Sequence, residues 1–264
     1  MDTLFIIKLI LSFLVGGGYA ILATVSADRL GSKIGGLISG LPSTVLLGLL
    51  FIAWTQNTQA AVEATTLIPA VIGVACFFLI TFVLFVKKNI WLALICAFIV
   101  WFVLTYSLFL FHITNFFISL FIYVISSFIA YYYVTRIRKI SSVKGNKIVY
   151  TTKLLLIRGF LTGFVVALSV VVAKFGGPII GGVLTTFPAM FTSVLLINYF
   201  SHGADFASAV AKSSLFAWIS TTLYVVVARY TMVPLGIIEG TVVALVACYI
   251  SAYLLLIYVL KKHS

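Results

Sequence analysis

Two stretches of this chain, 146 positions apart, repeat one pattern of glycine, proline and apolar residues. Such self-similarity at a fixed spacing predicts an internal duplication. An ungapped alignment pairs identical residues at nine positions: Gly17 with Gly163, Leu22 with Leu168, Val25 with Val171, Ala27 with Ala173, Gly31 with Gly177, Ile34 with Ile180, Gly35 with Gly181, Gly36 with Gly182 and Pro42 with Pro188. Duplicated apolar segments interrupted by glycine and proline point to a transport site. The alternative is common ancestry with glycines that serve only helix packing.

The apolar composition excludes a water-soluble fold. Hydrophobic residues make up 63% of the chain, charged residues 8%, and the mean hydropathy is +1.27. A soluble domain uses roughly a quarter of its residues as charged side chains. Asp2 and Lys8 argue against a cleavable signal in the first apolar stretch. The sequence therefore predicts an integral, all-α polytopic membrane protein.

Nine apolar stretches are each long enough to cross the hydrocarbon, which takes about 20 helical residues. The predicted helices are 4–27, 31–54, 65–86, 90–112, 115–134, 154–173, 177–200, 206–228 and 233–260. The predicted organisation is a first four-helix repeat in residues 1–112, a linking helix with a basic loop in 113–153, and a second repeat in 154–264. No extramembrane domain is expected.

Basic residues predict the orientation in the membrane. With the N-terminus outside, fourteen Lys and Arg residues fall on the inner side and three on the outer side, namely Lys8, Lys174 and Arg229. Inner loops carry such an excess, so we expect a cytoplasmic C-terminus in the inner cell membrane and a net charge of +12 that needs no nucleic acid. The basic cluster from Arg136 to Arg158 is interpreted as a topology anchor; the alternative is a surface for anionic lipid or another polyanion.

The odd number of helices predicts that the second repeat is inverted. Four helices return the chain to its starting side, and the fifth helix carries it across once more. The expected architecture is 4 + 1 + 4, with two antiparallel four-helix units related by an axis in the membrane plane. In such a pair, two conformations that exchange the roles of the repeats open the protein to opposite sides of the membrane, which is alternating access. The other known function of such symmetry is a fixed pore on the axis.

Pro42 and Pro188 fall near the middle of predicted helices 2 and 7. Because proline removes a backbone donor, we expect both helices to unwind before it and to restart at it, with the N-terminal ends of the second halves at the bilayer centre. These ends and the nearby hydroxyls predict a donor-rich site for an anion or a polar solute. Its candidate residues are Ser39, Gly40, Pro42, Ser43, Thr44, Thr185, Thr186, Pro188, Thr192 and Ser193. The alternative is a pair of simple kinks.

Intramembrane charge is sparse, and Glu239 is the best candidate for coupling transport to a proton or cation. We place it about two turns into the last helix; the alternative is an interfacial residue paired with Arg229. Lys212 is predicted to pair with Asp205, two helical turns away. No nucleotide-binding, nucleophile-elbow or zinc pattern occurs, so we expect neither an enzyme nor a metal or cofactor.

The run from Gly181 through Pro188 to Gly203, followed by Lys212 and the stretch Phe216–Ser220, resembles the GlpM-like family of small four-helix bacterial membrane proteins. The resemblance covers about a sixth of the chain and implies a protein built from two such units. It implies no substrate. Small multidrug exporters and fluoride channels, which are antiparallel dimers of four-helix units, are analogies of architecture only.

These patterns together predict a secondary transporter, or permease, of a small polar or anionic solute. The predicted partners are the lipid bilayer and that solute. Two alternatives stay open: a passive anion channel of the same fold, and a membrane assembly subunit that transports nothing.

Overall fold

The computed structural model describes residues 3–29, 43–140 and 151–261. These residues are helical almost throughout. The helices are α1 (Thr3–Arg29), α2 (Ser43–Thr55), α3 (Thr58–Ala64), α4 (Ile68–Phe85), α5 (Ile90–Leu110), α6 (Phe116–Tyr132), α7 (Thr152–Gly176), α8 (Pro178–Thr185), α9 (Ala189–Leu235) and α10 (Ile237–Lys261). A π-helical turn, Tyr133–Ile137, continues α6.

Helix length and hydropathy identify a multi-pass membrane protein. Within the described ranges, seven helical stretches are long and apolar enough to cross a bilayer. They are Thr3–Val25, Thr58–Phe85, Ile90–Leu110, Phe116–Ile137, Thr152–Gly176, Pro178–Leu235 and Ile237–Leu255. The sequence predicted nine. The difference arises because Pro178–Leu235 contains two predicted spans, and because Ser43–Thr55 is a shorter apolar helix.

Asparagine side chains begin three of the helices. The side-chain oxygen of Asn89 accepts hydrogen bonds from the amides of Trp91 and Leu92, at 2.8 and 3.1 Å. Asn115 starts α6 in the same way, and Asn57 starts α3 by accepting from the Ala60 amide at 2.8 Å. These caps satisfy backbone donors that have no partner inside the helix. Asn57 thus begins a short helix, α3, that the sequence analysis did not predict, whereas the predicted third helix, 65–86, corresponds to α4.

Glycines with positive φ separate helices in the second half of the chain. Gly177 (φ 96°) lies between α7 and α8, and Gly236 (φ 90°) lies between α9 and α10. Gly203 (φ 83°) interrupts α9, so that helix consists of two helical segments joined by a kink. Only glycine adopts this region without a steric penalty, so the three residues set the chain reversals and the kink.

The helices form two compact units. Unit 1 consists of Met1–Ile68, Val149–Ala189 and Phe216–Ser264, and unit 2 consists of Pro69–Ile148 and Met190–Leu215. Unit 1 therefore contains α1, α2, α3, α7, α8, α10 and the end of α9. Unit 2 contains α4 from Pro69 onwards, α5, α6 and the earlier part of α9. Neither unit coincides with one sequence repeat.

In unit 1, α1 and α7 cross at glycines and run in opposite directions. A Cβ atom added at Gly17 would lie 2.8 Å from the Gly159 carbonyl oxygen, and one added at Gly163 would overlap the carbonyl oxygen of Phe13. Towards the other end, the rings of Phe5 and Phe175 meet edge to face at 6.4 Å. As the residue number in α1 rises from 5 to 17, the number of the contacting residue in α7 falls from 175 to 159, so the two helices are antiparallel.

In unit 2, α4 packs against α6 through small and hydroxyl residues. A Cβ at Gly73 would lie 3.1 Å from the Cα of Tyr123 and 3.2 Å from Ser126 Oγ. The Ser119 hydroxyl oxygen accepts a 2.8 Å hydrogen bond from the amide of Ala70, in the first turn of α4. The close approach at Gly73 brings the helices together, and the Ser119 contact satisfies a buried backbone donor within the protein.

Candidate functional site

The chain breaks between α8 and α9, in the region where the sequence predicts an interrupted helix. α8 ends at Thr185 and α9 begins at Ala189. The amides of Thr186 and Phe187 turn back to Val183 and Leu184 carbonyls at 3.1 and 3.0 Å. The predicted break is confirmed, with one adjustment: Pro188 is the buried N-cap residue of α9 rather than its first helical residue. Its ring offers the first turn of α9 no side-chain acceptor.

The break that the sequence predicts in the first repeat, before Pro42, lies outside the described residues. Ser39, Gly40 and Pro42 all belong to that stretch. The described chain resumes with α2 at Ser43, which is buried, and Thr44, which is half-buried.

The hydroxyls near the α8–α9 break donate to their own helices. Thr185 and Thr186 Oγ1 each donate at 2.6 Å to a carbonyl three residues earlier, on Gly182 and Val183. Ser193 Oγ donates to the Met190 carbonyl at 2.7 Å. These hydrogens are therefore engaged, and the oxygens stay available as acceptors. The donor-rich site itself stays a prediction, in which these three hydroxyl oxygens would be acceptors and the backbone amides would be donors.

The predicted site residues are divided between the units. Ser43, Thr44, Thr185, Thr186 and Pro188 belong to unit 1, whereas Thr192 and Ser193 belong to unit 2. Thr192 and Ser193 are half-buried.

Inside unit 1, α8 fits closely against three other helices. The Cγ2 methyl of Thr185 fills the space that a side chain at Gly48 of α2 would need, and Ser169 Oγ of α7 lies 3.3 Å from the same position. The carbonyl oxygen of Ala64, in α3, likewise fills the space beside Gly182. The structure thus brings Thr185 together with α2 and α7, with no room for a larger residue at either glycine.

Arg229, which the sequence analysis treated as an outer charge and as an alternative partner of Glu239, forms hydrogen bonds with α3 and the turn after it. It is half-buried, and its Nη1 donates to the Val62 carbonyl at 2.9 Å and to the Thr65 and Thr66 hydroxyls at 2.8 and 3.4 Å. A cation on the last carbonyls of a helix is stabilised by the helix dipole. Arg229 thus holds the end of α9 against the end of α3, which contacts α8. The sequence signal for this contact was the pair Thr65 and Thr66, two hydroxyl residues next to an apolar run.

Arg158 was also counted only as an inner topology charge, yet it is 4% exposed. It lies on the buried face of α7, one turn before Thr162, whose Oγ1 donates to the Arg158 carbonyl at 2.9 Å. Ser169, two turns further on the same face, contacts the Thr185 region. A guanidinium buried in an apolar helix is by default a functional candidate, and the glycine directly after Arg158 was the signal for close helix approach.

The structure corrects the predicted position of Glu239. It is exposed and lies in the first turn of α10, not two turns inside the helix, because α9 continues to Leu235 before Gly236 turns the chain. The alternative partner, Arg229, is directed to α3 instead. The coupling role of Glu239 stays a prediction.

The predicted pairing of Lys212 with Asp205 is wrong. Asp205 forms a 2.6 Å ion pair with Lys87 of the loop after α4. Lys212 Nζ instead donates to the Ile140 carbonyl at 2.6 Å. Both partners lie in segments after α4 and α6 that are distant in sequence, which a spacing of seven residues along one helix does not reveal.

Comparison with known proteins identifies a family for both halves of the chain. The profile of the family described as "Protein of unknown function (DUF3147)" matches residues 9–116 and again residues 155–262. The matches start 146 positions apart (155 minus 9) and end 146 apart (262 minus 116), which is the offset of the ungapped alignment. The predicted duplication is confirmed. No curated protein and no solved structure matches the chain.

Proposed function

We propose that this chain, which belongs to the DUF3147 family of proteins of unknown function, is a secondary transporter of a small polar or anionic solute. The observation that carries the proposal is the helix break between α8 and α9 in the second copy of a duplicated membrane protein. Interrupted helices in a duplicated membrane protein are the best sequence-level pointer to a solute site.

In this proposal the chain crosses the membrane nine times. The stretch Pro178–Leu235 has 58 residues, which as one straight helix would measure roughly 87 Å, about three times the hydrocarbon thickness. Its breaks after Thr185 and at Gly203 allow two crossings. The proposal counts the shorter apolar helix Ser43–Thr55 as part of another crossing.

The proposed inversion of the second repeat is supported by the contacts of α1 with α7. Phe13 and Gly163 form one contact, and Gly17 and Gly159 form another. An offset of 146 converts Phe13 into position 159 and Gly163 into position 17, so the repeat relation exchanges the two contacts. A two-fold axis between antiparallel equivalent helices has this property. The GlpM-like resemblance agrees with two fused four-helix units.

The proposed orientation is supported by the contacts of the three cations assigned to the outside. Lys8 Nζ donates to the Trp54 carbonyl at 2.6 Å, and Lys174 Nζ lies 3.7 Å from the ring centroid of Phe5. The start of α1, the end of α2 and the end of α7 therefore share one end of unit 1. Arg229 contacts α3, only a few residues after Trp54.

The proposed mechanism is alternating access around the broken helices. Backbone amides of the first turn of α9, preceded by Pro188, would face the solute's oxygen atoms, since amides at a helix N-terminus favour negative charge. The close α1–α7 crossing gives the two repeats a common pivot.

The experiment is an unbiased solute-uptake screen on purified protein in liposomes, followed by Pro188→Ala. Alanine restores the missing donor and allows α8 and α9 to join, which withdraws the exposed N-terminal amides. We expect folded protein with uptake reduced at least tenfold and with the thermal stabilisation by the solute lost. Pro234→Ala is the matched control, because Pro234 is exposed in the last turn of α9, far along the chain from the break between α8 and α9.

Full uptake and full solute stabilisation in Pro188→Ala would contradict the proposed site. Solute flux that never exceeds its gradient under any applied ion gradient would identify a channel instead of a transporter. Coupling is assigned to Glu239 in this proposal, and Glu239→Gln should then abolish accumulation driven by a pH gradient while exchange persists, because the amide does not titrate. Unchanged pH dependence would assign the exposed carboxylate to an interfacial role.

A further inference from the structure

Three cationic side chains join three helix ends of unit 2 into a closed ring. The links are Arg138 Nη2 to the Val83 carbonyl at 3.4 Å, Lys87 to Asp205 at 2.6 Å, and Lys212 Nζ to the Ile140 carbonyl at 2.6 Å. They connect the segment after α6 with α4, the loop after α4 with α9, and α9 with the segment after α6. We call Lys87, Arg138, Lys212 and Asp205 the cation ring.

Positive charge exceeds negative charge strongly around the ring. The described part of unit 2 contains six Lys and Arg residues and one carboxylate, Asp205, and all seven lie at this end. The three cations outside the ring are Lys88, Arg136 and Lys139, and all are exposed. The single ion pair neutralises little, because its lysine and aspartate side chains are 61% and 71% exposed.

Hydrogen-bond donors are also in excess. A guanidinium carries five N–H groups and an ammonium three, whereas Arg138 and Lys212 each have one backbone carbonyl as an acceptor in the ring. Arg138 follows the π-helical turn Tyr133–Ile137, and Lys139 has a φ of 49°. The backbone therefore does not continue as a regular helix after Ile137, and the consecutive basic residues Arg138 and Lys139 lie together at this turn. A ligand with several anionic oxygens matches this donor arrangement.

Aromatic residues place the ring at the level of the lipid headgroups. Trp91, Tyr131 and Tyr132 are exposed just inside the same end, and Trp91 contacts Phe200 at 6.5 Å between ring centroids. Tryptophan and tyrosine concentrate where the hydrocarbon meets water. Further along α6, Val124 and Phe128 are exposed and apolar, so a cationic surface lies directly next to an apolar one.

We propose that the cation ring and its flanking residues bind the phosphate of an anionic phospholipid from the surrounding bilayer. The phosphate oxygens accept hydrogen bonds from Arg138 and Lys212, and Lys88, Arg136 and Lys139 supply attraction around them. The acyl chains lie along the exposed apolar face of α6. A lipid fits better than a soluble polyanion because the aromatic belt and apolar face adjoin the charges. A topology anchor would need the charges but not the ring.

The test compares phosphatidylglycerol with phosphatidylcholine, each added to the delipidated full chain in neutral detergent. Binding is measured by native mass spectrometry and by thermal stability. We expect phosphatidylglycerol to stabilise the protein more and to stay bound. The double variant Arg138→Gln, Lys212→Gln should bind it more weakly by a factor on the order of ten or more, since each basic residue near the headgroup contributes to the attraction. Glutamine keeps one donor for each carbonyl link.

The matched control is Lys8→Gln, Lys174→Gln, which removes the same charge from unit 1 and should leave phosphatidylglycerol binding unchanged. Arg138→Lys should retain most of the binding. If the glutamine variants do not fold, Lys88→Gln, Arg136→Gln tests the exposed flank and should weaken binding severalfold. Equal loss in the control would overturn the proposal in favour of diffuse electrostatics. It is also overturned if inorganic phosphate or glycerol phosphate at millimolar concentration displaces the lipid and stabilises the protein equally.

Discussion

Gly17 and Gly18 are adjacent in α1, yet alanine should have opposite effects at the two positions. A Cβ at Gly17 would lie 2.8 and 3.3 Å from the carbonyl oxygen and carbon of Gly159, which are backbone atoms that cannot move aside. A Cβ at Gly18 meets nothing within 4 Å. Any difference between the variants therefore reports the α1–α7 crossing and not helix propensity.

The magnitudes follow from two effects. Glycine to alanine in a helix interior stabilises by roughly 0.5–1 kcal/mol, and both variants gain this. Forcing a methyl group against a packed backbone costs about 1–3 kcal/mol, and only Gly17→Ala pays it. We therefore expect Gly18→Ala to be at or above the wild-type stability and Gly17→Ala to be about 1–3 kcal/mol below Gly18→Ala. For a chain of this size that corresponds to roughly 2–4 °C per kcal/mol.

The assay is thermal unfolding in detergent, followed by a thiol-reactive dye at the buried Cys76 and Cys248. All variants are heated at one scan rate, because an apparent Tm depends on scan rate wherever unfolding is irreversible. Cys96 is half-buried and is replaced by alanine throughout. Gly163→Ala should resemble Gly17→Ala, since its added Cβ would meet the Phe13 carbonyl oxygen. Equal stability of the Gly17 and Gly18 variants would refute the close antiparallel crossing.

Two further predictions test unit 2 and the topology. Ser119→Ala removes the acceptor of the buried Ala70 amide and should destabilise the protein by about 1–3 kcal/mol in thermal unfolding. The control is Ser107→Ala, whose hydroxyl bonds within its own helix at an exposed position and whose stability should stay within about 0.5 kcal/mol of wild type. Equal effects of the two substitutions would contradict the buried hydrogen bond. Single cysteines at Gly145 and Thr58 should react with an impermeant maleimide from the cytoplasmic and the outer side, respectively; reversed labelling would invert the orientation, and labelling on one side would contradict the inverted repeat.

Local signals in the sequence were sufficient for the duplication and for one helix break. The Gly17–Gly163 offset needs only identical residues at a fixed spacing, and the family match has the same offset. Pro188 predicts the break before α9 because proline acts on its own backbone, whatever its neighbours. The start of α3 was equally readable, since Asn57 is a capping residue, but a search for apolar windows passes over the polar helix that follows it.

Contacts between distant helices were not predictable from one sequence. The partners of Asp205, Lys212 and Arg229 depend on which helix ends meet. Each of these partners is far away in sequence from the residue that it contacts. Glu239 was misplaced because the end of α9 was set too early, although Gly236 after Pro234 is a signal for a helix end. The burial of Arg158 likewise follows from the packing of α7 and not from its own sequence surroundings.

The crossing of α1 and α7 has a consequence for how a fused pair differs from two separate subunits. In a dimer of identical chains, both equivalent contacts would have the same residues. Here position 13 is phenylalanine and its repeat equivalent, position 159, is glycine, so one contact joins glycine to glycine and the other joins glycine to the backbone beside a large ring. Fusion thereby lets the two halves differ in sequence. In a symmetric antiparallel dimer, the two conformations that exchange the roles of the halves would have equal energy. In the fused chain they need no longer be equally populated.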